Sequence, residues 1–188
     1  MNEQQRQISI EKNKLQLSFW DKFSHFSLVA FLCSIPLIFL FFHLKVWFNG
    51  KTTQFFIGEL PFLVIPIILG VVVYKLQCNR LKFKVVQTNL SRQELDDIIE
   101  KVGKELKWYP NEINENYFIA KTHQSFFSWG EQITIIFGTN EIFINSICDL
   151  DKRSSVVSMG RNKKNVRRLI EEIETADAGA GHLILAQE

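Results

Sequence analysis

No two cysteines in this chain are spaced as metal ligands or as a redox pair. There are three, Cys33, Cys78 and Cys148, and without a C-x-x-C pattern a thiolate zinc site, a dithiol centre and a disulfide framework all drop out. The four histidines, His25, His43, His123 and His182, are scattered, and none stands at ligand spacing with a cysteine or carboxylate cluster. Asp149 and Asp151 flank Leu150, which falls far short of a calcium loop. G-x-S-x-G, the phosphate-binding P-loop and the dinucleotide fingerprint are absent as well. The expectation is a protein with no catalytic residue, no metal and no cofactor. A net charge of +2 gives no ground for nucleic acid, and the basic helix described below has no helix-turn-helix partner or aromatic platform beside it.

What is abundant is apolar length. Residues 26–48 read FSLVAFLCSIPLIFLFFHLKVWF and residues 55–76 read FFIGELPFLVIPIILGVVVYKL. Each run has the length that an α-helix needs to cross the hydrocarbon core of a bilayer. Both are apolar all round rather than along one stripe, which argues against a helical hairpin buried in a soluble core. A cleaved signal peptide fits poorly, since the first run starts late, lacks a small-x-small site and is followed by a second full-length run. Arg6, Lys12, Lys14 and Lys22 precede the first run and Lys75, Arg80, Lys82 and Lys84 follow the second, whereas the connection offers Lys45 and Lys51. By the positive-inside rule both termini lie in the cytoplasm, and the chain is a multi-pass protein of the bacterial inner membrane. Glu59 reads as a helix-start carboxylate beside Leu60-Pro61 rather than a transport residue, and no buried charge pair points to a pore.

The expected organisation is a cytoplasmic N-terminal segment (1–24), a transmembrane helical hairpin (25–77), a cytoplasmic α+β domain (78–175) and a flexible tail (176–188). In the domain, alternation over 80–85 puts Leu81, Phe83 and Val85 on one face of a strand. Leu90-Ser91-Arg92-Gln93-Glu94-Leu95 is a capping box that starts a helix, with Leu95, Ile98, Ile99, Val102 and Leu106 on its core side and its end near Tyr109-Pro110. Strands follow at 117–122, 132–137 and 141–148, the last two joined by the turn Gly138-Thr139-Asn140. A shorter strand at 155–158 and a helix over 161–174 complete the order β-α-β-β-β-(β)-α, a mostly antiparallel sheet carrying two helices on one face. The tail Ala176-Asp177-Ala178-Gly179-Ala180-Gly181 has the composition of a linker.

Two stretches carry the functional expectation. In SMGRNKKNVRR the final helix opens on Arg161, Lys163, Lys164, Arg167 and Arg168 and closes on Glu171, Glu172 and Glu174, the wrong way round for the helix dipole. A solvated charged face is one reading. Anionic lipid headgroups are the other, with Arg161, Asn162, Lys163, Lys164, Arg167 and Arg168 as contact residues. Ser158 or Asn162 is expected to cap the helix. The loop Gln124–Gly130 holds Phe126, Phe127 and Trp129, which either close the core or form an interface with membrane or partner.

Trp108, FSWGEQITIIF, EIFINSICD and SMGRNKKNVRRLI together resemble uncharacterised small bacterial membrane proteins that carry two N-terminal spans and an α+β tail. The resemblance implies architecture only, since it brings no activity and no catalytic residues. The expected function is a non-enzymatic inner-membrane protein presenting a cytoplasmic α+β binding module to a protein partner, a second copy of itself or lipid headgroups. An accessory subunit of a larger membrane transport or secretion complex is the alternative, and an enzyme on a membrane-associated substrate the third reading.

Overall fold

The computed structural model of the protein describes residues 1–50, 57–124, 129–152 and 158–185. A short helix α1 (Glu3–Glu11) leads to two long apolar helices, α2 (Phe19–Phe48) and α3 (Leu60–Arg80). These two are long and apolar enough to cross a membrane, and little of either is covered: 6% of the most apolar window of α2 and 17% of that of α3 is buried. They are therefore not the core of the sheet domain. They pack as an antiparallel pair, with Gly70 allowing close approach to Cys33 and Leu32. At the base, Gln77 Nε2 donates to the His25 carbonyl (2.5 Å) and His25 Nε2 meets the Gln77 carbonyl (3.2 Å). This reciprocal bridge satisfies polar groups that would otherwise be buried alone.

The remaining elements are β1 (Lys84–Gln87), α4 (Arg92–Leu106), β2 (Trp108–Ile113), β3 (Tyr117–Thr122), β4 (Glu131–Phe137), β5 (Glu141–Cys148) and α5 (Arg161–Leu185). The sheet is antiparallel throughout, in the order β1-β5-β4-β3-β2. The capping box forms as expected: Ser91 Oγ accepts from the Glu94 amide and Glu94 reaches back to the Ser91 amide (2.7 Å). α4 and α5 lie together on one face, where Leu95, Ile99, Val102, Leu169 and Ile173 cover Ile133, Ile135, Ile142 and Ile144.

Several boundaries differ from the sequence reading. α3 holds its helix through Arg80, so the first strand begins at Lys84; Leu81 and Phe83 are buried as expected while Val85 is exposed. α4 stops when Lys107 takes a left-handed conformation (φ 57°), and the chain turns at once into the unexpected strand β2. Pro110 is tolerated there because β2 is an edge strand, and the register shifts between Pro110 and Glu112. The expected strand at 155–158 falls, apart from Ser158, outside the described residues. The linker reading of 176–181 is overturned: α5 continues to Leu185. Ala176 and Ala178 favour helix enough to carry the glycines, and Asp177 Oδ1 accepts from the Asn89 amide (3.2 Å).

The larger correction concerns the N-terminal segment, which is part of the domain. Leu15 and Leu17 join Leu81, Phe83, Ile136, Phe143 and Ile147 in a second core on the sheet face opposite α4 and α5. Backbone bonds from Leu15 N to Leu81 O (2.8 Å) and from Phe83 N to Asn13 O (3.3 Å) dock this segment beside the start of β1. Both faces of the sheet are covered, which accounts for the unbroken burial of Ile142 through Asp149.

Candidate functional site at the hairpin end of the domain

Strand direction decides which loops gather near the two long helices. β1 leaves α3 at Lys84, and its partner β5 runs the opposite way, so Cys148 and Leu150 come back to that end. Ser24 Oγ at the base of α2 donates to the Leu150 carbonyl (3.0 Å). By the same registers Lys121 and Glu131 lie at this end, and so does the start of α5, whose far end reaches Asn89. The basic opening of α5 and Trp129 thus share the hairpin end of the domain. Trp129 is 39% exposed there, while Phe126 and Phe127 lie outside the described residues.

Most of the cations in SMGRNKKNVRR are answered inside the fold. Arg161 Nε meets the fully buried carboxylate of Glu131 at 3.2 Å. Arg167 pairs with Glu171 (2.6 Å), and Arg168 bridges Glu105 (2.9 Å) and Glu172. Hydrogen bonds that Arg168 donates to Glu172 and Glu105 raise its guanidinium above its ordinary range, and those that Glu172 accepts from Lys101 and Arg168 lower its carboxyl. Neither asparagine is free for a ligand. Ser146 Oγ donates to Asn162 Oδ1 (3.0 Å), Asn165 Nδ2 donates to Ser146 Oγ (3.2 Å), and Trp108 Nε1 donates to Asn165 Oδ1 (3.2 Å). Asn162 is therefore not the helix cap; it fastens α5 to β5, with Gly160 (φ +81°) making the reversal ahead of the helix. Lys163 and Lys164 stay exposed.

Beside them opens a groove of about 750 Å³ between α5 and the β1–β5 edge. Arg80, Lys82 and Lys84 line one wall and Lys163 and Arg167 the other, over an apolar floor of Ile144, Val166 and Ile170. Glu171, already paired with Arg167, and Glu174 stand toward the end remote from the hairpin. Asn145 borders the groove through the β5 backbone, its side chain lying on the opposite sheet face with Phe143 and Ile147. It is 2% exposed; its Nδ2 donates to the carbonyls of Arg80 (2.8 Å) and Lys82 (2.9 Å), and its Oδ1 is buried with no hydrogen-bond partner. Arg80, Lys82 and Lys84 were not among the expected contact residues. Arg80, Lys82 and Lys84 alternate with Leu81 and Phe83, so when the apolar positions face the core the basic ones must face away, and that pattern was readable.

A second polar cluster borders the same end. Lys121 meets Asp149 (3.2 Å) and Asp151, and Lys152 meets Asp149 at 3.4 Å. Burial disfavours the Lys121 ammonium, but the two carboxylates outweigh it and hold the lysine above its usual range. Among the described residues no group of three or more histidine, cysteine or acidic side chains could hold a metal ion.

The chain matches no known family model, no curated protein and no solved structure. The likeness to small two-span bacterial membrane proteins is consistent with the observed architecture in outline, two long apolar helices followed by a small sheet domain.

Proposed function

We propose that the protein is a non-enzymatic inner-membrane protein whose two helices hold an α+β module against the cytoplasmic leaflet, where its basic end meets anionic lipid headgroups. The observation that carries this reading is the direction of α5: its cationic start lies at the hairpin end and its acidic turns lie away from it. A charge order that opposes the helix dipole becomes favourable when a negative surface faces that end. Trp20 and Trp47 support the placement. They stand exposed near the two ends of α2, 27 residues apart, which at 1.5 Å per residue is about 40 Å, the spacing of two headgroup layers. The module is also docked rather than tethered, since α3 enters β1 within three residues and Asn145 holds the intervening carbonyls.

The test is the melting temperature of the full chain in bilayer discs. Replacing a third of a zwitterionic lipid by phosphatidylglycerol is expected to raise it, because a partner that binds only the folded form stabilises it by mass action, and high salt is expected to remove the gain. Lys163→Gln with Lys164→Gln should cut the gain by about 2 kcal/mol, at about 1 kcal/mol per basic residue near the surface. The pair should leave stability in zwitterionic discs unchanged, whereas Arg168→Gln should lower it in both. A melting temperature indifferent to anionic lipid would remove the headgroup reading.

A further inference from the structure

We infer that the groove between α5 and the β1–β5 edge is a site for one anionic phospholipid, held by its phosphodiester over the apolar floor. This rests on the proposed placement of the domain at the leaflet and goes beyond it, from a charged surface to a single occupied site. Arg80 ends α3, the helix read as crossing the bilayer, so the mouth of the groove opens at headgroup depth. Five cations against two carboxylates give it a positive field, and the carboxylates stand toward the remote end. A volume near 750 Å³ over an apolar floor falls within the range of small-molecule sites.

The choice of ligand comes from the charge and the floor together. Arg80, Lys82 and Lys84 on one wall and Lys163 on the other present donors to a phosphodiester. Ile144, Val166 and Ile170 beneath them offer contact to the glycerol and upper acyl carbons that a soluble phosphate lacks. Phosphatidylglycerol is a net anion, whereas phosphatidylcholine carries a cation that the lysines would repel. The Asn145 side chain is not part of the site, since it lies with Phe143 and Ile147 on the sheet face opposite α5, across from Thr134 on β4.

Native mass spectrometry of the full chain in mild detergent tests this, with phosphatidylglycerol, phosphatidylcholine and soluble glycerol phosphate offered separately. Wild type should retain one phosphatidylglycerol per chain and neither of the others. Lys82→Gln with Lys84→Gln, both on exposed side chains, should fold normally and weaken retention by about tenfold or more. The exposed pair Lys104→Gln and Lys107→Gln on and beside α4 should leave it unchanged. Lys163→Gln alone provides a second reading from the opposite wall should the double variant melt early. Equal retention of phosphatidylcholine, equal binding of free glycerol phosphate, or unchanged retention in the groove variants would overturn the site. If the melting temperature still follows anionic lipid while no lipid is retained, the site fails and the proposed function stands; if neither responds, both fail.

Discussion

Removing residues 1–17 is expected to abolish the folded sheet domain, although the deleted stretch reads as a hydrophilic leader. It carries Leu15 and Leu17, which close the second core over Phe83, Ile136, Phe143 and Ile147. Leu15→Ala and Leu17→Ala should each cost about 2–5 kcal/mol as buried leucines replaced by a cavity. Together they approach the whole of a typical domain's stability, about 5–15 kcal/mol. A fragment over 80–174 lacks the same cover and should be insoluble or molten by near-ultraviolet circular dichroism. A fragment that melts cooperatively at the temperature of the full chain would contradict the two-faced core.

Trp108 is the second residue whose change should be costly. It is 8% exposed, packs on the Gly103 turn of α4 and donates its indole N–H to Asn165 on α5, so one side chain ties both helices to the start of β2. Trp108→Ala should lower stability by about 3–5 kcal/mol. Trp108→Phe keeps the ring packing but leaves the Asn165 oxygen without its donor, and should cost about 1–3 kcal/mol. The difference between the two variants in thermal or urea unfolding separates packing from the hydrogen bond. Because Asn165 also holds Ser146 on β5, the phenylalanine variant should loosen the α5 wall of the groove and weaken lipid retention while the domain remains folded.

The parts of this fold that were legible from sequence are those set by local rules. Ser91 and Glu94 form their capping box because both partners lie within one turn, and the strands over 117–122 and 141–148 match to the residue because turn residues bracket them. The two apolar runs are helices, though α2 begins at Phe19, ahead of the apolar stretch, with Ser18 as its cap. What escaped was non-local. The apolar residues before α2 are sparse, and nothing near Leu15 signals that a sheet face waits for it some sixty residues later at Leu81 and Phe83. The continuous apolar run in β5, Ile142 to Ile144, was the available hint that both sheet faces are covered.

The candidate site divides in the same way. The pairs Arg167–Glu171 and Arg168–Glu172 lie one turn apart and are legible in sequence, whereas the partners Glu131 of Arg161 and Glu105 of Arg168 are distant in sequence and adjacent only after folding. Lys163 and Lys164 keep the exposed role expected of them. The opposite wall, Arg80 to Lys84, entered the sequence reading as topology signals and becomes part of a groove only when β1 pairs with β5.

The central claim is that α2 and α3 cross a bilayer and leave the sheet domain at the cytoplasmic face. Single cysteines at Asn49, between the two helices, and at Asn140, in the exposed turn between β4 and β5, test it in a chain whose native Cys33, Cys78 and Cys148 are replaced by alanine. A membrane-impermeant maleimide applied to intact cells freed of their outer membrane should label position 49 at once and position 140 only after the membrane is opened. Labelling of position 140 from outside, or protection of both positions until the membrane is opened, would contradict the account.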